Sequence, residues 1–443
     1  MERVLTNDKS IVKMKILLAN SPFRGGGITT YAVQLIRCLS EDAELAVVLA
    51  DDKKSPITDK RVKVYYYNTQ NLTVKNARFF IKLINEEIKP DVVIVSAAHI
   101  LPVIAPYLND NIKIIAVSHS GRFFHSEYSA VNHKYIDKII AASSEYNKEY
   151  LLRKCHVKDP DKIKVIYNFL DKDEELENLR YLKPQKRPIS LIFINGGSVH
   201  KSPDLVARIV IELLKTDLNF RFYWMGTPTV PLTTTLFKHS KFKNVKQLFP
   251  DDERLVFPGY IASKRDFDKF TASANIMLAP SRNEGCSMAL LEGHRAGCIF
   301  LVADYENSNR EIVEKGKSGL VVNRNDIAGF ISIIRDIINN PAKYEDYYEN
   351  SHNTFITYLS YPIWKEKIYS VINRPSFHSR RKKNVTRLGL MINVLKMKWL
   401  LFKCQIDQTL RYSFPSFYAF RRLYHTVGLK GAKMQKVATK HSN

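Results

Sequence analysis

The sequence lacks an uninterrupted run of about 20 apolar residues, which is the length that a helix needs to cross a bilayer. The first 13 residues carry charges throughout and hold no apolar stretch, unlike a secretory signal peptide. We therefore expect a protein that works in the cytoplasm and does not span the membrane.

Cysteine is scarce as well. The chain has five cysteines, an odd number, at separated positions: Cys38, Cys155, Cys286, Cys298 and Cys404. This pattern argues against a disulfide framework and a zinc cluster, and it favours a reducing compartment. Asp171 and Asp173 have the spacing of a metal-binding Asp-x-Asp motif, but they lie in a charged linker and predict a solvated turn. We expect no essential metal.

Acidic residues are few compared with basic ones. The chain contains 44 aspartates and glutamates against 68 lysines and arginines, which gives a net charge of +24. Much of this excess follows residue 374, where 15 lysines and arginines accompany a single acid, Asp407. Such a segment predicts an anionic partner, and phospholipid headgroups, nucleic acid and acidic glycans are all candidates.

The rest of the composition is that of a folded protein with more than one domain. Hydrophobic residues make up 45% of the chain and charged residues 25%, so each domain can bury a core. A length of 443 residues exceeds one ordinary domain and suits two or three.

The first half of the chain alternates short apolar runs with segments of helical periodicity. Buried strands are predicted over residues 14–19, 44–49, 91–95, 113–117, 138–142 and 163–166. Helices are predicted over residues 28–40, 76–88 and 145–154. This alternation specifies a parallel sheet that is covered by helices on both faces.

The pattern stops in a charged segment, residues 171–188, and then starts again. Strands are predicted over residues 191–195, 220–225, 276–279, 299–302 and 319–322. We expect an α/β protein with two Rossmann-like domains, over residues 14–180 and 185–355, that face each other across a cleft. Ligands of such sheets bind outside the carboxyl ends of the strands, so the cleft is the expected site.

Residues 279–322 hold the most informative group of candidate site residues. Glu284 and Gly285 follow a predicted strand, and Glu292 lies on the next helix, which begins near Ser287. Gly285 lets the backbone approach a ligand closely, and the helix start offers unpaired N–H groups and a positive dipole end. A carboxylate that accepts from two vicinal hydroxyls, beside a phosphate-binding helix end, suits a sugar nucleotide.

Here the sequence resembles a known family. The spacing of Glu284 and Glu292, with glycines close to both, resembles the signature of the family 4 (group 1) glycosyltransferases of GT-B fold. Further segments resemble the family in the same order along the chain: residues 25–27, 138–143, 165–168, 201–204 and 257–261. The resemblance runs from about residue 14 to about residue 372, and it implies a helix over residues 356–374 that crosses back onto the N-terminal domain.

The resemblance also implies a role for each matching residue. Glu292 would bind the ribose hydroxyls of the nucleotide, Glu284 would contact the donor sugar, and Lys201 would neutralise the departing diphosphate. His119 resembles an acceptor-side histidine that orients the attacking hydroxyl, although a structural hydrogen-bonding histidine is an equal alternative. The other implied donor contacts are Gly26, Gly27, Ile261, Gly285, Cys286 and Ser287.

One departure from the family pattern affects the diphosphate site. The family usually has an arginine a few residues before the lysine, whereas residues 195–201 contain none. Gly197 and Ser198 are candidates to replace it with backbone and hydroxyl donors, and His200 would do so when protonated. If none of them does, catalysis would be weak or absent.

The resemblance therefore implies a retaining, metal-independent hexosyltransferase that needs no cofactor. Its donor would be a nucleotide sugar, with UDP as the first expectation and GDP or ADP as alternatives. Its acceptor would be a polysaccharide or lipid-linked intermediate at the cytoplasmic face of the membrane. Two other functions remain open: a nucleotide-sugar epimerase or sugar-phosphate transferase on the same fold, and a degenerate scaffold that holds a partner transferase.

Residues 375–443 lie beyond the resemblance. An apolar segment, 388–402, carries Trp399 among lysines, and basic and aromatic residues interleave after it. This combination predicts a basic amphipathic helical tail that attaches the protein peripherally to an anionic membrane and adds nothing to the transfer site. A chain that ends at Arg374 would then stay folded.

Single-stranded nucleic acid also suits such a pattern, but no nucleic-acid motif accompanies it and we expect none to bind. An alternative, above all after Lys430, is a segment folded onto the protein itself.

Overall fold

The computed structural model describes residues 13–20, 27–49, 57–119, 124–142, 144–170, 188–195, 199–226, 247, 249–373 and 384–413. These residues form two parallel sheets, one on each side of the segment 171–187. The prediction of two Rossmann-like halves is confirmed.

The first sheet has seven strands in the order β3-β2-β1-β4-β5-β6-β7. They are β1 (Lys15–Asn20), β2 (Glu44–Leu49), β3 (Lys63–Tyr66), β4 (Val92–Ser96), β5 (Lys113–Ser118), β6 (Lys138–Ala141) and β7 (Ile163–Val165). The helices that accompany them are α1 (Gly27–Asp42), α2 (Val74–Lys82), α3 (Ile100–Ile104), α4 (Phe124–Ser129) and α5 (Glu145–Arg153). Within β1, Leu17 packs into one apolar core while Ile16 and Leu18 pack into another on the opposite face. Burial on both faces is why these strands are continuous apolar runs in the sequence.

The second sheet has six strands in the order β10-β9-β8-β11-β12-β13. They are β8 (Ile189–Asn195), β9 (Phe220–Gly226), β10 (Leu255–Gly259), β11 (Ile276–Leu278), β12 (Ile299–Ala303) and β13 (Gly319–Val322). Its helices are α6 (Pro203–Leu214), α7 (Lys264–Ser273), α8 (Met288–Arg295), α9 (Ser308–Gly316), α10 (Ile327–Asn339) and α11 (Glu345–Thr354). β3 and β10 were not among the predicted strands, and each is one of the two edge strands of its sheet.

The chain returns to the first domain through α12 (Tyr361–Ile372), as the family resemblance implied. Trp364 is buried in the same core as α1, and its ring stacks on Phe169 with centroids 4.2 Å apart. The Lys113 ammonium donates to the carbonyl of Ile372 at 2.9 Å, at the end of this helix. Aromatic packing and charged capping therefore fix both ends of α12 to the N-terminal domain.

A further helix, α13 (Arg387–Ser413), covers the opposite face of the same sheet. Leu390, Val394 and Met397 belong to the core that α2 and α3 also build. The expectation that all residues after 374 lie outside the fold is therefore wrong for this helix, because its inner face is part of the N-terminal core. Among the described residues, no helix is both long and apolar enough to cross a membrane.

This packing predicts a stability difference between two leucines of α13. Leu390 is fully buried and Leu388 is 61% exposed. Leu390→Ala should lower the free energy of unfolding by about 2–5 kcal/mol, since it opens a cavity in the N-terminal core. Leu388→Ala, the matched control, should change it by less than about 0.5 kcal/mol. Urea unfolding followed by circular dichroism measures both, and equal effects would contradict the docked helix.

Candidate active site

The loop between β11 and α8 lies at the carboxyl end of the second sheet. It contains Glu284, Gly285 and Cys286, and Ser287 is the N-cap residue of α8. Four hydrogen bonds from other segments hold its backbone: Asn307 Nδ2 to the Ser281 carbonyl at 2.7 Å, the Arg282 amide to the His200 carbonyl at 2.8 Å, Asn168 Nδ2 to the Cys286 carbonyl at 2.8 Å, and Ser308 Oγ to the Glu284 carbonyl at 3.4 Å. The loop is therefore a supported platform rather than a free connection.

Lys201 and Glu284 form an ion pair within this platform. Lys201 Nζ lies 3.1 Å from Glu284 Oε1, and both side chains are largely buried, with 20% and 16% exposed. Lys201 also donates to Ser287 Oγ at 3.1 Å, and Ser281 Oγ donates to Glu284 Oε1 at 3.2 Å. Ser287 Oγ gives no side-chain cap to α8 and instead accepts from Lys201.

Glu292 lies on α8, the helix whose N-cap residue, Ser287, accepts a hydrogen bond from Lys201. Glu292 as a whole residue is half-buried, and desolvation by the surrounding protein raises the pKa of its carboxyl group from the ordinary 4.5 to about 7. The nearby positive charges of Lys264, Arg295 and Lys201 oppose this rise. None of the described residues hydrogen-bonds to the carboxylate, so it is costly to ionise until a donor group approaches.

The N-terminal domain contributes the opposite wall of the cleft. Gly27 begins α1, and a Cβ placed on it would lie 3.8 Å from Cγ of Met288, the first residue of α8. His119 follows β5, and its Nε2 lies 3.0 Å from Ser96 Oγ. The edge of the Tyr31 ring meets the His119 ring with centroids 5.1 Å apart. His119 is thus a held, hydrogen-bonded side chain, and this geometry fits both of its expected roles.

Some of the remaining predicted site residues lie in the described part of the chain, and others do not. Burial raises the pKa of the Cys286 thiol to about 12, so this residue offers the site its backbone rather than a thiolate. Ile261 follows β10 and packs against the core beneath α8. Gly26, Gly197, Ser198 and the acidic pair in the linker lie outside the described residues. In the described part of the chain, no group of three or more His, Cys, Asp or Glu side chains could hold a metal ion.

Two family models match the chain, one for each domain. The model of Glycosyltransferase Family 4 matches residues 25–174, and the model of Glycosyl transferases group 1 matches residues 189–340. The chain belongs to the family 4 (group 1) glycosyltransferases. A search of curated proteins finds no significant match.

Solved structures show the same GT-B fold as this glycosyltransferase. HepE from Anabaena, in complex with UDP, gives a TM-score of 0.64 at 14% identity and covers 81% of this chain and 99% of its own. WaaB, a lipopolysaccharide outer core galactosyltransferase, gives 0.62 at 16% identity, with 81% and 99% covered. A glycosyltransferase from Rickettsia africae gives 0.62 at 16% identity, with 82% and 100% covered. At these identities the likeness concerns the fold alone.

Sequence reasoning missed Glu311, which joins the two domains of the glycosyltransferase. This α9 carboxylate accepts from the backbone N–H groups of Glu145 and Tyr146, at 3.1 and 3.4 Å, at the start of α5. It also accepts from Tyr167 Oη at 2.5 Å. Burial holds the pKa of Glu311 above its ordinary value, and the three hydrogen-bond donors reduce this rise. A carboxylate beside a helix N-terminus is favourable, but its position in the sequence does not reveal that the helix belongs to the other domain.

Arg282 was also missed, although it is next to the signature loop. Its amide is bound to the His200 carbonyl, and its Nη2 donates to Asp204 Oδ2 at 2.6 Å. An arginine therefore lies beside the segment before Lys201, where the sequence itself has none. Arg282 lies two residues before Glu284 in the sequence, and this proximity could have identified it as a candidate site residue.

The pKa of Glu292 predicts a pH dependence of stability. Because its folded pKa of about 7 exceeds the ordinary 4.5, the folded protein binds more protons between these values, and stability is lost as the pH rises through about 7. Glu292→Gln removes this titration, so between about pH 5 and pH 8 the ligand-free variant should lose roughly 2 kcal/mol less stability than the wild type. Thermal unfolding against pH measures this. Glu349→Gln, an exposed change on α11, is the control, and parallel profiles for all three proteins would refute the shifted pKa.

Proposed function

We propose that this glycosyltransferase moves a hexose from a nucleotide sugar, with UDP as the nucleotide, to a polysaccharide or lipid-linked acceptor with retention of configuration. The observation that carries the proposal is the Lys201–Glu284 ion pair, which lies at the start of the helix that presents Glu292. UDP as the nucleotide is supported by HepE, which has been solved with UDP and with UDP-glucose.

The ion pair predicts the order in which the donor contacts these two residues: the diphosphate binds Lys201, and the sugar then contacts Glu284. A diphosphate carries more negative charge than one carboxylate, so it would draw Lys201 away from Glu284. Glu284 would then be released to accept hydrogen bonds from the donor sugar. Glu292, which none of the described residues hydrogen-bonds, would accept from the ribose hydroxyls, and binding would favour its ionised form.

The same lysine would act on the leaving group. As the bond between the anomeric carbon and the diphosphate oxygen breaks, negative charge grows on that oxygen, and a fixed cation beside it lowers the barrier. Lys201 also donates to Ser287 Oγ, and this contact would keep the ammonium at the start of α8 after Glu284 is released. Arg282, whose amide binds the His200 carbonyl, would share this role in place of the family arginine if the diphosphate draws its guanidinium away from Asp204. No metal or cofactor enters this proposal.

The acceptor would enter from the N-terminal side. His119 is oriented there by Ser96 and Tyr31 and would hold the attacking hydroxyl. We place the reaction at the cytoplasmic face of an anionic membrane, which the basic C-terminal region supports through its excess of lysine and arginine. Nucleic acid has no part in it.

A donor-binding scaffold without turnover is the second candidate. The absence of an arginine from residues 195–201 favours it, whereas the intact Lys201–Glu284 pair argues for an enzyme. Hydrolysis of a UDP-sugar by the purified protein separates the two candidates, because a scaffold would bind the donor and leave it intact.

Lys201→Ala tests the proposed leaving-group role. We expect turnover of the UDP-sugar to fall by about a hundredfold or more, and donor affinity to fall less, because the charge on the diphosphate grows in the transition state. The control is Lys215→Ala, which removes an exposed lysine paired with Glu212 at the end of α6. Single-turnover kinetics and calorimetry give the two quantities. An equal loss in both would assign Lys201 to ground-state binding only.

A further inference from the structure

The outer face of α13 is an exposed apolar stripe. Leu388, Leu395, Trp399 and Phe402 have 61%, 54%, 66% and 54% of their surface exposed. Met391, Ile392 and Ile406 are exposed beside them. Spacings of three and four residues place all of these side chains along one side of the helix, opposite to the buried Leu390, Val394 and Met397.

This stripe is unusual for the molecule. Of the 13 large apolar side chains that are exposed in the described residues, seven lie on α13. Exposed apolar residues normally occur singly, and a continuous group marks a surface that meets an apolar phase or a partner. Because the inner face of the helix is already buried, the stripe is not needed to attach α13 to its own domain.

Positive charges border the stripe on both sides. At 3.6 residues per turn, Arg387 and Lys398 fall along one edge of it, and Lys396 and Lys403 fall along the other. All four residues are exposed, and residues 387–406 contain no aspartate or glutamate. An apolar band between two rows of cations matches the layers of an anionic bilayer surface, where acyl chains lie beneath negative headgroups.

We propose that this stripe of α13 lies in the interface of an anionic membrane, and so holds the N-terminal domain against the bilayer. A second copy of the chain fits the stripe less well, because each α13 carries five lysines and arginines against one acid, Asp407, and pairing two such helices would bring their cations together. Nucleic acid would satisfy the cations, but it would leave the aliphatic side chains in water.

The inner face of the helix extends this inference to the acceptor. α13 packs on α2, α3 and α4, and Cys404 Sγ donates to Glu127 Oε2 of α4 at 3.0 Å. α4 begins at Phe124, shortly after His119. Bound in this way, the bilayer would lie against the domain that carries the proposed acceptor side. This step rests on the proposed function and names a membrane-embedded amphiphile as the acceptor class.

Trp399 provides a direct probe of this contact. The chain has three tryptophans, of which Trp224 and Trp364 are buried, with 0% and 1% exposed, while Trp399 is 66% exposed. On addition of phosphatidylglycerol vesicles to the full-length protein, we expect a blue shift of the fluorescence and protection from acrylamide. Neutral phosphatidylcholine vesicles should give less of both, and raising the salt from about 0.1 to 1 M should weaken the effect as the Debye length falls from about 10 to 3 Å.

Leu395→Glu places a charge in the stripe without touching the core. We expect it to lower the partition onto phosphatidylglycerol vesicles by about tenfold or more, since it replaces apolar burial with repulsion. Ile356→Glu, the same kind of change at a residue that is 38% exposed in the C-terminal domain, should leave the partition unchanged. Both variants should keep the thermal stabilisation by UDP, so a failed donor site would be seen separately from a failed membrane surface.

Three results would overturn the proposal. The first is an unshifted Trp399 spectrum with anionic vesicles, and the second is an equal partition of Leu395→Glu and the wild type. The third is a wild-type dimer in sedimentation velocity that Leu395→Glu converts to a monomer, which would assign the stripe to a second copy.

Discussion

The ion pair between Lys201 and Glu284 is the constraint on which the proposed donor site depends. Both side chains are largely buried, with 20% and 16% exposed, so removal of either partner leaves the other charge with less compensation than it has in the pair. A ligand can separate them only if it supplies a negative group to one and hydrogen-bond donors to the other. A nucleotide sugar supplies both, which links the resting geometry of the loop to the choice of substrate.

The support of this pair comes from both domains, so the site and the domain arrangement are not independent. Asn168, at the end of the N-terminal domain, holds the Cys286 carbonyl of the signature loop. Glu311 lies about one helical turn after Asn307, which also supports that loop, and it holds the start of α5 and Tyr167. The returning helix α12 then fixes the N-terminal domain through Trp364. A movement of one domain relative to the other would therefore displace the loop that carries Glu284 through these hydrogen bonds.

Features that depend on a local sequence pattern, such as strands and motif residues, could be predicted. Features that depend on contacts between distant residues could not. The central strands were predictable because both of their faces are buried. The four edge strands keep partly exposed residues, and of these β7 and β13 were predicted whereas β3 and β10 were not. In α13, apolar residues continue around the helix, so periodicity alone could not separate the packed Leu390 from the exposed Trp399. Glu284, Glu292 and Lys201 were found as motif residues, but their pairing and the raised pKa of Glu292 required the folded arrangement.

Calorimetry of Glu284→Gln with UDP and with a UDP-sugar tests most directly whether the ion pair is exchanged on donor binding. Loss of the carboxylate leaves Lys201 without its partner, so the variant should bind UDP at least as tightly as the wild type does. It should bind the UDP-sugar more weakly relative to UDP, because the acceptor for the sugar hydroxyls is impaired. A variant that loses affinity for UDP and for the UDP-sugar by the same factor would contradict this account.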